Sequence, residues 1–221
     1  ETQARTTKEP GAGRMKIRNL TAEGDTGHMA VKDLSLSLRG GEILGIAGVS
    51  GNGQRELVQA LSGQRVPLGG IIEINGEPYH ATRAEMRHHK IFCLPEEPLK
   101  NACVAQMSVV ENLSFRTFDQ PPNAKGGWWL NRPAMRDKAK DLIARYGVKT
   151  PSPAAPIRTL SGGNVQRAVL ARELSGDVDV LVVANPVVGL DFSAVAEIHR
   201  QIIDARNQGV AVLLVSEDLD E

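Results

Sequence analysis

Apolar and polar residues alternate along the first part of the chain, and the alternation predicts short strands at Met15 to Leu20, Glu42 to Ala47, Ile71 to Ile74 and Lys90 to Leu94. A further strand is predicted at Val31 to Leu38, with Leu34, Leu36 and Leu38 on one face. A helical period interrupts them at Gln54 to Leu61. Between Pro95 and Gly176 the period lengthens. Ser108 to Phe115 and Arg132 to Tyr146 carry helical spacing, the latter with Ala134, Ala139, Leu142 and Ile143 apolar among charges, and no strand is predicted there. A proline-rich connector, Thr150 to Pro156, precedes a helix that runs to about Leu174. Continuous apolar runs then return at Asp179 to Ala184 and Val210 to Val215, with a helix at Ala194 to Arg206 between them, the signature of a buried parallel sheet. The expected organisation is a polar linker over 1–14, an α/β core over 15–95 and 176–221, and a helical insert over 96–175.

Two stretches carry chemistry. The first is Gly48-Val49-Ser50-Gly51-Asn52-Gly53-Gln54-Arg55, between a predicted strand and a predicted helix. In that setting consecutive backbone N–H groups and the positive helix end converge on one anion. The spacing is that of a P-loop except at two positions: Gln54 stands where a lysine neutralises phosphate, and Arg55 where a hydroxyl holds magnesium. The second is Leu160-Ser161-Gly162-Gly163-Asn164, which opens a helix. Ser161 is placed to cap that helix, and the two glycines let backbone approach a phosphate.

Length and composition narrow the picture. With 221 residues the chain suits one α/β domain, or one with an insert. Acidic and basic residues balance at 26 each, which leaves no electrostatic footprint for nucleic acid or an anionic membrane. Cys93 and Cys103 fit neither a C-x-x-C pair nor a disulfide framework and read as packed thiols in a reducing compartment. The apolar runs fall far short of a spanning helix, so any membrane role is expected to come through a partner. His88-His89 beside Lys90 is read as no metal site, because adjacent side chains diverge and no third ligand is apparent. Trp128-Trp129 is read either as a contact for a membrane subunit or as a local packing anchor.

From Met15 to its end the chain resembles the ATP-binding cassette of ABC transporters, a P-loop NTPase fold with a mostly parallel central sheet, an N-terminal antiparallel part and a helical insert. Leu160 to Asn164 matches the LSGGQ signature with Asn for Gln. Gly189-Leu190-Asp191 matches the D-loop, and Val180 to Pro186 occupies the Walker B strand. More narrowly, Gly48 to Leu57, Thr150 to Asn164 and Ser216 to Glu221 resemble the second of two fused cassettes in bacterial-type importers for simple sugars and purine nucleosides. The resemblance implies ATP as ligand, held by Gly48, Ser50, Gly51, Asn52, Gly53, Gln54 and Arg55, with Glu96 at the glutamine-loop position. It also implies a second cassette and membrane-spanning permease subunits as partners, and a peripheral place on the cytoplasmic face of the membrane.

The departures are as informative. Where active members end their strand in Asp-Glu-Pro, this chain has Ala184-Asn185-Pro186, which offers neither a magnesium ligand nor a base. Ser216 replaces the switch histidine, and the adenine-stacking aromatic expected near Thr21 to Met29 is missing. Phosphoryl transfer depends on placed charge, and loss of one stabilising group costs on the order of a thousandfold. The expectation is a cassette that does not hydrolyse ATP at its own site, binds it weakly there, and offers Ser161, Gly162 and Gly163 to a partner's ATP, with magnesium at the partner's site. Two rival readings stay open here. One is an active ATPase using Arg55 and substitute ligands; the other is a non-transport regulator acting on nucleic acid.

Overall fold

A computed structural model describes residues 9–49, 51–126 and 129–217. In chain order the elements are β1 (Gly13–Glu23), β2 (Met29–Arg39), β3 (Ile43–Ala47), α1 (Gln54–Leu61), β4 (Gly69–Ile74), β5 (Glu77–Pro78), α2 (Arg83–His88) and β6 (Ile91–Leu94). There follow α3 (Pro98–Asn101), α4 (Val109–Ser114), β7 (Ala124–Lys125), β8 (Trp129–Leu130), α5 (Arg132–Arg145), α6 (Gly162–Glu173), β9 (Val180–Ala184), α7 (Phe192–Asn207) and β10 (Ala211–Ser216). The chain divides into two compact units. One comprises Glu1–Pro95, Asp177–Pro186 and Ala196–Glu221, and the other Glu96–Gly176 and Val187–Val195.

The first unit holds two sheets. An antiparallel sheet has the order β2-β1-β4-β5, and a parallel sheet the order β3-β10-β9-β6. All five residues of β9 are buried, as an all-apolar run on a doubly covered strand requires. In β1 the buried positions run Met15, Ile17, then Leu20 and Ala22, a change of phase that falls at a register shift where Asn19 takes φ 50°. This bulge keeps both pairs on the core face and carries the strand past Leu20 to Glu23. Cys93 is buried on β6. The C-terminal ends of β3, β9 and β10 lie side by side in this sheet, the edge where open α/β sheets place ligands.

The second unit is mainly helical, but it contains a two-stranded hairpin, β7 with β8, where no strand is expected from sequence. Two-residue strands are too short to leave a period of two. Trp129 on β8 is 80% exposed, so it is not a packing anchor; Trp128 lies outside the described residues. Helix α4 starts with a reciprocal capping box between Ser108 and Glu111. Under it, the fully buried Glu173 accepts from Arg172 Nε at 2.7 Å and from Arg116 at 2.9 Å, while Arg172 Nη1 donates to the Ala102 carbonyl at 2.8 Å. The carboxylate and the buried guanidinium thus reach the interior already paired and hydrogen-bonded. Burial pushes the Cys103 thiol up to about 11, in keeping with a packed thiol.

Candidate functional site

The glycine loop leaves β3 at Ala47 and enters α1 at Gln54. Gly48 N–H donates to the Ser216 carbonyl at 3.3 Å, which ties the loop to the end of β10. Gly51 and Gly53 take φ 89° and 94°. At Gly53 a Cβ would lie 2.3 Å from the Ala30 carbonyl oxygen, so both conformation and space require glycine there. Ser50 lies outside the described residues.

Gln54 does not reach out of this loop. Its Oε1 accepts from Asn52 N–H at 3.0 Å and its Nε2 donates to the Val49 carbonyl at 3.1 Å. The carboxamide therefore occupies one of the backbone donors that the loop would turn on an anion, and brings no charge in exchange. Arg55 is also committed. It pairs with Asp25, which pairs with Arg65 as well, and lies 3.6 Å from Glu56. The Arg65 hydrogen bond, followed by the charge of Arg55, holds the Asp25 carboxyl below the usual carboxylate range. Arg55 is thus tied to Asp25 in a surface ion pair, with 58% of its side chain exposed.

Beside the loop is a cavity of about 490 Å³ whose lining includes His28, Ala30, Lys32, Gly48, Asn52 and Gln54. His28, within the stretch Thr21 to Met29 where the adenine-stacking aromatic is missing, brings an imidazole to the wall of this cavity. Its ring packs over Gly24, where a Cβ would come within 2.7 Å of Cε1, and its Nδ1 is 2.7 Å from Thr26 Oγ1. A histidine in a glycine-rich turn resembles ordinary turn chemistry, and only the fold places it on the cavity wall. Lys32 is a second residue that sequence reasoning missed.

At the end of β9 the Walker B positions carry no acidic side chain. Ala184 offers no ligand atom. Asn185, 7% exposed and at φ 44°, donates its N–H to the Val215 carbonyl at 2.8 Å, and its Oδ1 accepts from Glu217 N–H at 2.9 Å. Its carboxamide stitches two strand ends together. Ser216 is buried. A magnesium ion does not fit this residue set: the hydroxyl position carries an arginine already paired to Asp25, and the carboxylate position carries alanine.

The remaining motif residues lie in the second unit. Glu96 opens it, its carbonyl accepting from Asn101 Nδ2 at 2.6 Å. Leu160 is buried, Ser161 and Gly162 are exposed, and α6 begins behind them. Ser161 does not cap α6 through its hydroxyl, as the sequence suggested. Its Oγ instead accepts from Asn164 Nδ2 at 2.9 Å, and Asn164 Oδ1 accepts from Lys149 N–H at 2.8 Å. Asn164, 9% exposed, thereby tethers the serine hydroxyl to the first turn of α6, while the N–H groups of Gly162 and Gly163 have no intrahelical acceptor by position. Gly163 packs close: a Cβ there would lie 3.1 Å from Ala194 Cβ. In the turn before α7, Gly189 takes φ 73°, and Asp191 Oδ1 accepts from Ser193 Oγ at 2.7 Å and Ala194 N–H at 2.9 Å, which lowers the carboxyl pKa. Val188 and Phe192 flank this turn and are 62% and 97% exposed.

The sequence model of the ABC transporter family matches residues 31–188. The chain belongs to the ABC transporter family. Among curated relatives, the guanosine import ATP-binding protein NupO of Bacillus subtilis (strain 168) is 38% identical over 214 residues, covering 96% of this chain and 42% of that protein. The nucleoside import ATP-binding protein NupA of Lactococcus lactis subsp. cremoris is 36% identical over 94% of this chain and 41% of its own length. The glucose import ATP-binding protein TsgD13 of Haloferax volcanii is 34% identical over 96% of this chain and 39% of its own length. The chain thus spans about two fifths of the length of these relatives. Among solved structures, a bacterial ABC transporter cassette in dimeric form matches with a TM-score of 0.77 at 20% identity, over 93% of this chain and 89% of that one. This places the fold as that of an ABC cassette, a P-loop NTPase fold. Among the described residues of this ABC family chain, no helix is long and apolar enough to cross a membrane.

Proposed function

We propose that this chain is an ATP-binding cassette of an importer for nucleosides or simple sugars, whose own site does not hydrolyse ATP and whose signature completes the site of a second cassette. The observation that carries the reading is a division within one chain. The P-loop lysine position holds Gln54, folded back on its own loop, and the Walker B positions hold Ala184 and Asn185, so no charge stands there for phosphoryl transfer, whereas Ser161 and Gly162 of the signature are retained and exposed at the start of α6. The names of the relatives support import of nucleosides or sugars, and the exposed Val188 and Phe192 support a protein partner at the D-loop turn. Permease subunits and a second cassette, on the same polypeptide or another, are the partners of this reading, and a peripheral position at the membrane follows from it.

Nucleotide at the chain's own site rests on the loop amides, with His28 and Lys32, which line the same cavity, supplying a ring and a cation. Magnesium belongs to the partner's site. In the closed pair, the Ser161 hydroxyl and the first N–H groups of α6 meet the γ-phosphate held by the partner, and closure drives the permease. Uptake of labelled nucleosides and simple sugars by cells lacking the full-length protein tests this. Loss of one class of uptake is expected; unchanged uptake of both contradicts the reading. A second expectation concerns the loop alone. Gln54→Ala frees the Asn52 N–H, a bond worth about 1 kcal/mol, so ATP binding tightens about fivefold in a fluorescent-nucleotide titration.

A further inference from the structure

The geometry points to a zinc-binding site formed by Glu77, His88 and His89. Successive residues of a regular helix point about 100° apart, which argues against neighbouring histidines serving one ion. Here α2 ends at His88, His89 is its C-cap, and Lys90 follows at φ 51°. The two rings converge, with centroids 4.7 Å apart and planes at 71°. Both turn Nε2 toward one carboxylate oxygen, Oε2 of Glu77, which is 3.3 Å from His88 and 3.6 Å from His89. The three ligand atoms lie within 4.8 Å of one another.

Zinc bonds nitrogen and oxygen at about 2.0–2.1 Å, so the edges of its coordination tetrahedron are roughly 3.4 Å. The two edges to Glu77 have about that length before any ion enters. The histidine-to-histidine edge, at most 4.8 Å, closes by a rotation of His88, whose side chain is 69% exposed. His89 provides the fixed point. Its side chain is 3% exposed, and its ring stands edge-on to Tyr79 with centroids 6.2 Å apart. Two imidazoles and one carboxylate suit zinc, whereas magnesium prefers an all-oxygen shell. The set leaves a fourth position for water or another donor. The negative end of α2 adds a field that favours a cation. A bound ion joins β5 to the end of α2, two residues before β6 begins.

The test uses the full-length chain without a polyhistidine tag, titrated with zinc against a chromophoric chelator, with cobalt(II) as a spectroscopic probe of coordination. One zinc per chain is expected, together with the intense visible absorption of four-coordinate cobalt. His88→Ala and Glu77→Ala, both at exposed positions, each weaken zinc binding by on the order of tenfold or more, and excess magnesium does not compete. Absence of zinc binding, or binding that survives both substitutions, overturns the assignment and leaves the three groups as a hydrogen-bonded cluster. His89→Ala removes the buried ligand; should it unfold the chain, the two exposed variants decide.

Discussion

Replacing Gly162 by aspartate lowers ATP turnover of the assembled transporter by on the order of a hundredfold to a thousandfold while leaving the fold of this chain intact. Gly162 is exposed in the first turn of α6, and a Cβ there meets only Leu190 Cδ2 at 3.7 Å, an ordinary contact. A carboxylate in that turn faces the positive helix end and is tolerated or mildly stabilising. Toward a partner's γ-phosphate the same carboxylate is repulsive, and it blocks the amides that would stabilise the developing charge. Gly163 makes a poorer probe, because its Cβ would press on Ala194 at 3.1 Å and mix a packing effect with the functional one. Phosphate release and thermal unfolding, measured on the same preparation, separate the two. Unchanged turnover removes the signature from the mechanism.

The second large effect concerns the chain's own loop. With Mg-ATP, the chain alone turns over at least about a thousandfold more slowly than a cassette with an intact site, and Gln54→Ala or Asn185→Ala leaves the residual rate unchanged. The geometry accounts for both halves of this. Gln54 is hydrogen-bonded to Val49 and Asn52, Asn185 Oδ1 accepts from Glu217 N–H, and Arg55 pairs with Asp25, so the lysine and carboxylate positions hold neither a lysine nor a carboxylate for phosphoryl transfer. A measurable rate abolished by either substitution would assign catalysis to this site.

The parallel sheet was legible in the sequence because Val180–Ala184 and Val210 to Val215 are continuous apolar runs, and α1 because a helical period follows the glycine loop. The extension of β1 was hidden by the bulge at Asn19, which breaks the alternation that defines a strand. Helix α2, six residues long, is too short to show a period; its readable signal was the capping box from Thr82 to Glu85. At the candidate site the motif positions were legible, but their engagement was not. Arg55 finds Asp25, 30 residues earlier, and Asn185 finds Glu217, 32 residues later, and spacing says nothing about either pair. His28 and the convergence of His88 with His89 belong to the same class: a turn and a helix end bring together groups that a regular element would separate.

The division of labour between two cassettes is tested most directly by trapping ADP with vanadate in the complete transporter, using a photoreactive ATP, and mapping where the label lands. The account predicts one trapped ADP per pair, cross-linked to the partner's glycine loop and to the stretch Ser161 to Gly163 of this chain. A second trapped ADP per pair, cross-linked between Gly48 and Arg55, would contradict it.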